Sequence, residues 1–263
     1  MSRNKFVTDF FSEEDANVIA FGVDCPASLR EVSQLVEPFD IDEQRNLLEN
    51  VRIFDAGDVK LKEVEKKTKE ILSAKKLPLI LTKEHTATLH AMRAMPANTK
   101  LVVFDAHADL KDEYEGSKQS HACWLRRWCE LAKENCKNVV IVGLRSCDED
   151  EFEFMKSNGV LYFTATKIKK DLGNVKQRLR NFIGSSPIYV SLDMDVFDPS
   201  IAPAVKYAEP NGLMYADFVS LIDALKKMKL IGLDCVEIRP IGENKVTEFF
   251  AIKILFKLLS YLS

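Results

Sequence analysis

Short apolar runs alternate with amphipathic stretches along most of the chain. Runs rich in Val, Ile and Leu are typical of buried parallel strands. They predict strands at Val18–Gly22, Val51–Asp55, Leu77–Leu81, Lys100–Phe104, Val139–Leu144, Gly159–Phe163, Ile188–Leu192 and Leu230–Val236. Helical spacing of apolar residues predicts helices at Leu61–Lys75, Ala122–Asn135, Val175–Phe182, Tyr215–Met228 and Phe249–Leu259. The alternation predicts an α/β fold of three αβα layers with a central, mostly parallel sheet of eight strands.

Composition narrows the class of protein. A length of 263 residues with 46% hydrophobic content suits a single domain over residues 1–263. Acidic and basic residues nearly balance, with a net charge of −3, so no nucleic-acid surface is expected. No apolar stretch reaches the roughly 18 residues that span a bilayer. The polar N-terminus and six cysteines without a C-x-x-C pair predict a cytoplasmic protein with reduced thiols.

Two acid-rich turns each follow an apolar run. They read Asp-Ala-His-Ala-Asp at 105–109 and Asp-Met-Asp at 193–195. Side chains two positions apart on an extended segment point the same way. We therefore expect Asp105, His107 and Asp109 to converge on one point, and Asp193 and Asp195 on another. Because clustered buried carboxylates are costly without cations, the pattern indicates a metal site.

Further candidate ligands also follow predicted strands. His85 comes just after Leu77–Leu81, and Glu237 comes just after Leu230–Val236. Sites in parallel sheets lie at the carboxyl ends of the strands, so these residues are expected at the same edge as the acidic turns. Four Asp and two His without Cys suit Mn²⁺ or a similar ion better than structural Zn²⁺. Six ligands are enough for two neighbouring ions, which generate a hydroxide nucleophile near neutral pH.

Each candidate residue also has a structural interpretation. The Asp side chains of either turn could bind backbone amides within the turn itself. His121 opens a predicted helix and could serve as its cap, and Glu237 could be an ion-pair partner of Arg239. The apolar stripe of the helix after His121 is assigned to the core: Trp124, Trp128 and Leu131.

The two acidic motifs resemble the signature motifs of the ureohydrolases, namely arginase, agmatinase and formiminoglutamase. The resemblance extends from about residue 55 to the C-terminal helix, and it includes Gly-Leu-Arg-Ser at 143–146 and the segment 232–240. The stretch 109–122 looks most like that of the prokaryotic, archaeal-type agmatinases. The resemblance implies an arginase/deacetylase-like fold and a homotrimer or homohexamer.

Carried over by position, the resemblance implies two Mn²⁺ sites per subunit that share two bridging carboxylates. The first site would comprise His85, Asp105, Asp109 and Asp193, and the second His107, Asp105, Asp193 and Asp195. Asp109 would also orient the nucleophile. Glu237 would pair with the guanidinium of the substrate, because a carboxylate accepts it bidentately. His121 would contact the substrate and pass a proton to the leaving amine, and Glu209 would line the substrate site.

Three segments depart from the family pattern. Thr-Lys-Glu-His-Thr at 82–86 replaces Gly-Gly-Asp-His-Ser, and Lys83 either weakens metal binding or points outward. The loop 202–210 keeps Glu209 but lacks the usual glycines, which should stiffen it. An early Gly-x-Arg-x-Gly-Pro segment is absent, and Cys-Pro-Ala-Ser-Leu-Arg at 25–30 stands nearby.

Agmatinase is the leading functional hypothesis: agmatine and water give putrescine and urea. The acidic stretch 111–115 suits a small cationic guanidino substrate whose tail lacks a carboxylate. An arginase, or a hydrolase of another guanidino or formimino compound, is the alternative, with Lys111 or Lys206 binding a carboxylate. A non-catalytic family member and a deacetylase that uses one Zn²⁺ are less favoured, because the complete ligand set can fill two sites.

Overall fold

A central sheet of eight parallel strands organises the chain in a computed structural model that describes residues 5–7, 11–131 and 134–261. The strands of this sheet are β1 (Val18–Val23), β4 (Ile53–Asp58), β5 (Leu77–Thr82), β6 (Lys100–Phe104), β7 (Val139–Leu144), β8 (Leu161–Thr164), β9 (Ile188–Asp193) and β10 (Leu230–Val236). Their order is β4-β1-β5-β10-β9-β6-β7-β8, with every neighbouring pair parallel. A separate antiparallel pair joins β2 (Phe39–Asp40) and β3 (Arg45–Asn46).

Helices cover both faces of this sheet. They are α1 (Ala27–Ser33), α2 (Val64–Ser73), α3 (Thr86–Met92), α4 (Trp124–Leu131), α5 (Glu149–Asn158), α6 (Ala165–Lys170), α7 (Leu172–Ile183), α8 (Tyr215–Ile222) and α9 (Val246–Leu259). Alternate strand residues enter two apolar cores: Ile19 belongs to the core that includes residues of α2 to α5, and Val18 to the core that includes residues of α1 and α6 to α9. The predicted three-layer α/β architecture is confirmed.

Strand positions agree with the sequence prediction, with shifts at two strands. β4 begins at Ile53 and continues to Asp58, later than the predicted Val51–Asp55. β8 begins at Leu161 because Gly159 ends α5 in the left-handed conformation, with φ of 73°. Three predicted helices are shorter than expected: α2 is limited to Val64–Ser73, α8 ends at Ile222, and Glu134 and Asn135, at the predicted end of α4, lie in a turn.

The site-bearing strands are neighbours in the sheet. The order β5-β10-β9-β6 brings together the strands followed by His85, Glu237, Asp195 and Asp105. Their carboxyl ends therefore meet at one edge, as the sequence predicted. Within the described ranges, no helix is both long and apolar enough to cross a bilayer.

Candidate metal centre and adjoining cavity

A buried imidazole faces three carboxylates at this edge. His85 Nδ1 lies 3.3 Å from Asp105 Oδ2, 3.1 Å from Asp109 Oδ2 and 3.2 Å from Asp193 Oδ2. His85 Nδ1 and Asp105 Oδ2 are both buried and have no hydrogen-bond partner in the structure. Buried polar atoms of this kind are normally satisfied, and a shared cation would satisfy both. The oxygen-rich donor set fits a hard or borderline divalent metal.

A second group of candidate ligands adjoins the first through Asp105. The donor atoms of Asp105, His107 and Asp195 lie within 4.8 Å of one another, and the same holds for His85, Asp105 and Asp193. His107 Nδ1 is 2.8 Å from Asp195 Oδ2 and 3.7 Å from Asp105 Oδ1. The arrangement offers two adjacent metal positions that share a carboxylate.

The electrostatics of these groups also favour cations. Burial, reinforced by the charges of Asp195 and Asp109, raises the pKa of Asp105 to about 8. Burial likewise raises the pKa of Asp193 well above its usual range. For His107, burial lowers the pKa, but the hydrogen bond to Asp195 and the charges of Asp195, Asp105 and Asp109 together outweigh this and raise it to about 10. Bound divalent cations would relieve the repulsion among these carboxylates.

The acidic turns reach this geometry through backbone-amide contacts, which the sequence left open as an alternative to an extended conformation. Neither turn is extended: Asp109 has a φ of 52°, and residues 194–196 form a 3₁₀ helix. Asp105 Oδ1 accepts a hydrogen bond of 2.6 Å from His107 N, and Asp193 Oδ1 accepts one of 2.9 Å from Asp195 N. These carboxylate-to-backbone bonds turn the chain, so the expected strand-like alternation is wrong for both motifs.

Two side chains outside the first group of candidate ligands hold its members in place. Ser191 Oγ lies 2.9 Å from His85 Nε2 and donates to Asp234 Oδ1 at 2.7 Å, which orients the imidazole. Trp124 packs against His85 with ring centroids 4.5 Å apart, and its Nε1 donates to Asp109 Oδ2 at 2.8 Å. Trp124 is therefore core, as predicted, and it also holds the candidate ligand Asp109, a contact that the sequence did not indicate. Leu131 is 53% exposed, so its assignment to the core is wrong.

Arg145 holds the second acidic turn. Its guanidinium donates to the backbone carbonyls of Asp195 at 2.6 Å, Phe197 at 3.3 Å and Glu209 at 3.0 Å. One side chain thus ties the second motif to the loop 202–210. The Gly-Leu-Arg-Ser match at 143–146 was the available signal, although it did not indicate this role.

A cavity of about 220 Å³ lies above the candidate ligands. Each of the other predicted substrate or proton-transfer residues lines it, namely His121, Glu209 and Glu237. The candidate ligand His107 also lines the cavity, and its Nε2 lies 3.7 Å from Glu209 Oε1. Every residue predicted for the site therefore lies at this cavity or directly beneath it.

Glu237 presents one free carboxylate oxygen. Its Oε1 accepts a hydrogen bond of 3.0 Å from His85 N, while Oε2 is buried without a hydrogen-bond partner. Arg239 Nη2 is 3.6 Å from Oε2 but only 2.5 Å from Glu84 Oε1. Burial raises the pKa of Glu237 to about 7. The ion pair with Arg239 considered from the sequence exists, but it leaves Oε2 without a hydrogen bond.

His121 lies at the cavity rather than capping its helix. The N-cap is Ser120, whose hydroxyl accepts a hydrogen bond from Ala122 N at 3.4 Å. Burial, followed by the charge of Lys206, lowers the pKa of His121 and favours its neutral form. The neutral imidazole has a ring nitrogen that can accept a proton.

The loop after the first acidic motif lines the cavity with other residues than the acidic ones that the sequence suggested. From residues 111–115, only Lys111 and Tyr114 line the cavity, while the acidic residues of this stretch line a neighbouring cleft. Lys111 pairs with Asp148, and its Nζ is 3.5 Å from Glu151 Oε2. The acidic side chains of this stretch therefore do not line the cavity. Tyr114 is a cavity residue that the sequence analysis missed.

Comparison with known proteins identifies the family. The model of the arginase family matches residues 22–260. The chain belongs to the arginase family. An agmatinase from Pyrococcus horikoshii is 31% identical over 244 residues, which cover 88% of this chain and 82% of the relative. An agmatinase from Bacillus cereus is 29% identical over 266 residues, covering 91% and 89%.

Solved structures agree with this membership. The agmatine ureohydrolase of Thermoplasma volcanium superposes with a TM-score of 0.88 at 30% identity and covers 99% of this chain, which in turn covers 94% of that one. Proclavaminate amidino hydrolase from Streptomyces clavuligerus has a TM-score of 0.85 at 23% identity, covering 94% and 91%, and shares the fold. The predicted resemblance to the ureohydrolases is confirmed.

Proposed function

We propose that this arginase-family hydrolase cleaves the guanidinium group of agmatine and releases putrescine and urea. The observation that carries the proposal is the pair of adjoining ligand groups that share Asp105 at the floor of the cavity. The agmatinases of Pyrococcus horikoshii and Bacillus cereus support the choice of substrate.

Two Mn²⁺ ions per subunit form part of the proposal. His85, Asp105, Asp109 and Asp193 would hold one ion, and Asp105, His107, Asp193 and Asp195 the other. The unsatisfied His85 Nδ1 and Asp105 Oδ2 support the first position, and the close approach of His107 to Asp195 supports the second. When bound, such a pair supplies Lewis acidity and an activated water nucleophile.

The cavity residues bind the substrate, orient the attacking water and transfer a proton. Glu237 Oε2 accepts N–H groups of the substrate guanidinium and fixes its carbon above the ligand groups. Asp109, held by Trp124 Nε1, orients the attacking water. His121 carries a proton to the departing amine. Its Nδ1 faces Ser120 and Glu84, which leaves Nε2 for this exchange.

Guanidino acids, including arginine, are the second candidate substrates. Lys206 favours them, because its ammonium lies beside the cavity-lining ring of Tyr207 and could bind a carboxylate. Glu209 opposes them, because it adds a carboxylate to the cavity wall. Lys111 is already paired with Asp148, so its charge is not free for a substrate carboxylate.

Urea release from a panel of substrates tests the proposal. We expect Mn²⁺-dependent urea from agmatine at a higher kcat/KM than from arginine or 4-guanidinobutyrate. Absence of urea from agmatine would contradict the proposal, and faster turnover of a guanidino acid would favour the second candidate. A chain that binds no Mn²⁺ and stays inactive when Mn²⁺ is added would be a non-catalytic family member.

We further propose a single cytoplasmic domain over residues 1–263 that assembles as a homotrimer or homohexamer. The unbroken eight-stranded sheet supports one domain, and the unpaired cysteines suit a reducing compartment. Exposed apolar side chains, such as Ile41 at 81% and Leu35 at 66%, suit a contact between subunits. Light scattering of the purified chain would give the subunit number, and a monomer would contradict this part.

A further inference from the structure

Two tyrosines from different loops meet at the cavity mouth. Tyr114 comes from the loop after β6, and Tyr207 from the loop that follows β9 and the second acidic turn. Their hydroxyl oxygens are 3.2 Å apart, and both residues line the cavity. The hydroxyl contact fixes the two rings relative to each other. Both rings are therefore placed to contact a substrate that binds in the cavity.

The two rings pack around the imidazoles of the site. The Tyr207 ring is stacked with that of His121 at a centroid distance of 5.9 Å and lies edge-on to His107 at 6.3 Å. Tyr114 approaches His121 edge-on at 5.6 Å. The tyrosines thus lie next to a candidate metal ligand and to the residue proposed to protonate the leaving amine. This is where the tail of a bound guanidino compound would lie.

The ammonium group of Lys206 already lies against the face of one of these rings. Lys206 Nζ lies over the Tyr207 ring, 4.9 Å from its centroid. Among the described residues, no carboxylate forms an ion pair with Lys206, so the contact of its ammonium is with the aromatic face. The negative face of a tyrosine ring attracts a cation in this way. Lys206 therefore shows what kind of group the Tyr207 face accepts.

We propose that Tyr114 and Tyr207 form the specificity element for the distal ammonium of the substrate, which replaces Lys206 on the Tyr207 face. The proposal rests on the proposed function and deepens it, since it names the residues that select a cationic tail. Tyr114 positions Tyr207 through the hydroxyl contact. Lys206 acts as an internal competitor that the substrate displaces.

Opposite effects of two substitutions test this proposal. Tyr207→Ala should raise KM for agmatine about tenfold, or about 1.4 kcal/mol, with kcat changed less than about threefold, since the contact is made in ground state and transition state alike. Lys206→Met removes the competitor and should lower KM for agmatine several-fold. Tyr207→Phe keeps the ring face but loses the hydroxyl contact with Tyr114, so its KM for agmatine should lie between those of the parent protein and Tyr207→Ala.

A substrate without the distal ammonium is the internal control of the experiment. Pentylguanidine carries a methyl group where agmatine carries an ammonium, so its KM should respond less to Tyr207→Ala. Tyr215→Ala is the matched variant outside the cavity, since Tyr215 is 43% exposed and Tyr207 40%. Its kinetic constants should equal those of the parent protein.

Calorimetric binding of both compounds to the Mn²⁺-loaded protein separates this proposal from the proposed function. If no urea is released but the affinity ratio of agmatine to pentylguanidine falls in Tyr207→Ala, the two tyrosines bind the ammonium group and only the proposed reaction is wrong. If urea is released normally and Tyr207→Ala leaves that ratio unchanged, the specificity proposal is overturned. A higher KM for agmatine in Lys206→Met would also overturn it.

Discussion

At the scale of single residues, Glu84 decides what Glu237 is free to bind. Arg239 is a guanidinium of the chain itself, placed beside the carboxylate proposed to bind the substrate guanidinium. Glu84 holds it at 2.5 Å, and the distance from Arg239 to Glu237 remains 3.6 Å. Glu84 stands where the family usually has Asp. It therefore keeps Arg239 away from Glu237, the carboxylate proposed to bind the substrate guanidinium.

Removing this restraint should weaken substrate binding. In Glu84→Gln the neutral side chain holds Arg239 less strongly, so Arg239 pairs with Glu237 and KM for agmatine rises about tenfold. The double variant Glu84→Gln/Arg239→Leu lacks the competitor and should recover most of the affinity. Steady-state kinetics check both. A double variant no better than the single one would show that Arg239 does not compete with substrate.

Trp124 provides the second prediction at this scale. Trp124→Phe keeps an aromatic ring against His85 but removes the hydrogen bond to Asp109, worth about 1.5 to 3 kcal/mol for a charged acceptor. We expect kcat to fall about tenfold or more, while the far-UV circular dichroism remains that of the parent protein. Trp128→Phe is the matched control, because Trp128 Nε1 has no hydrogen-bond partner in the structure. Equal losses in the two variants would contradict the role of Trp124.

At the scale of elements, strand positions were predictable and the conformation of the acidic turns was not. Apolar runs mark buried strands, and the carboxyl-end rule then brings His85, Glu237 and both motifs to one edge. The extended conformation expected for the turns was wrong, because Asp105 and Asp193 bind the backbone amides that follow them. The sequence offered this arrangement as an alternative but did not decide for it. The Tyr114–Tyr207 contact joins residues 93 apart, so no local pattern indicates it.

The small β2–β3 pair is joined to the C-terminal helix by a buried lysine. Lys257 Nζ in α9 lies 2.6 Å from Asp40 Oδ2 and 2.8 Å from Glu43 Oε1. The hydrogen bond from Lys257 lowers the pKa of Asp40. A carboxyl whose folded-state pKa is lowered stabilises the fold above its unfolded pKa of about 3.9, and this contribution is lost as pH falls through the folded value.

Asp40→Asn should therefore lower Tm at pH 7 by a few degrees, and the deficit should shrink as the pH falls below about 4. Thermal melts of parent and variant between pH 7 and 3.5 measure the difference. Asp42→Asn is the control, because Asp42 is exposed and should change Tm little at any pH. A deficit independent of pH would show that Asp40 acts through packing rather than charge.

At the scale of the whole molecule, the sheet gathers four carboxylates and two imidazoles at one buried edge. The carboxylates are Asp105, Asp109, Asp193 and Asp195, and each is at most 9% exposed. Without cations, their mutual repulsion opposes folding. Stability of the molecule should therefore be coupled to metal, because an ion that binds only the folded chain stabilises it by mass action.

Mn²⁺ at about 100 times its dissociation constant should stabilise the parent protein relative to chelator by about 2.7 kcal/mol for each of the two proposed ions, which raises Tm by about 5 to 10 °C per ion. Asp193→Asn replaces one carboxyl group of the cluster with a neutral amide. We expect it to melt at or above the parent temperature in chelator, to gain little from Mn²⁺, and to release no urea. Asp150→Asn, which changes an exposed carboxylate outside the site, should retain the full Mn²⁺ response. If Asp193→Asn melted well below the parent protein in chelator, Asp193 would stabilise the metal-free fold, and charge repulsion would not limit its stability.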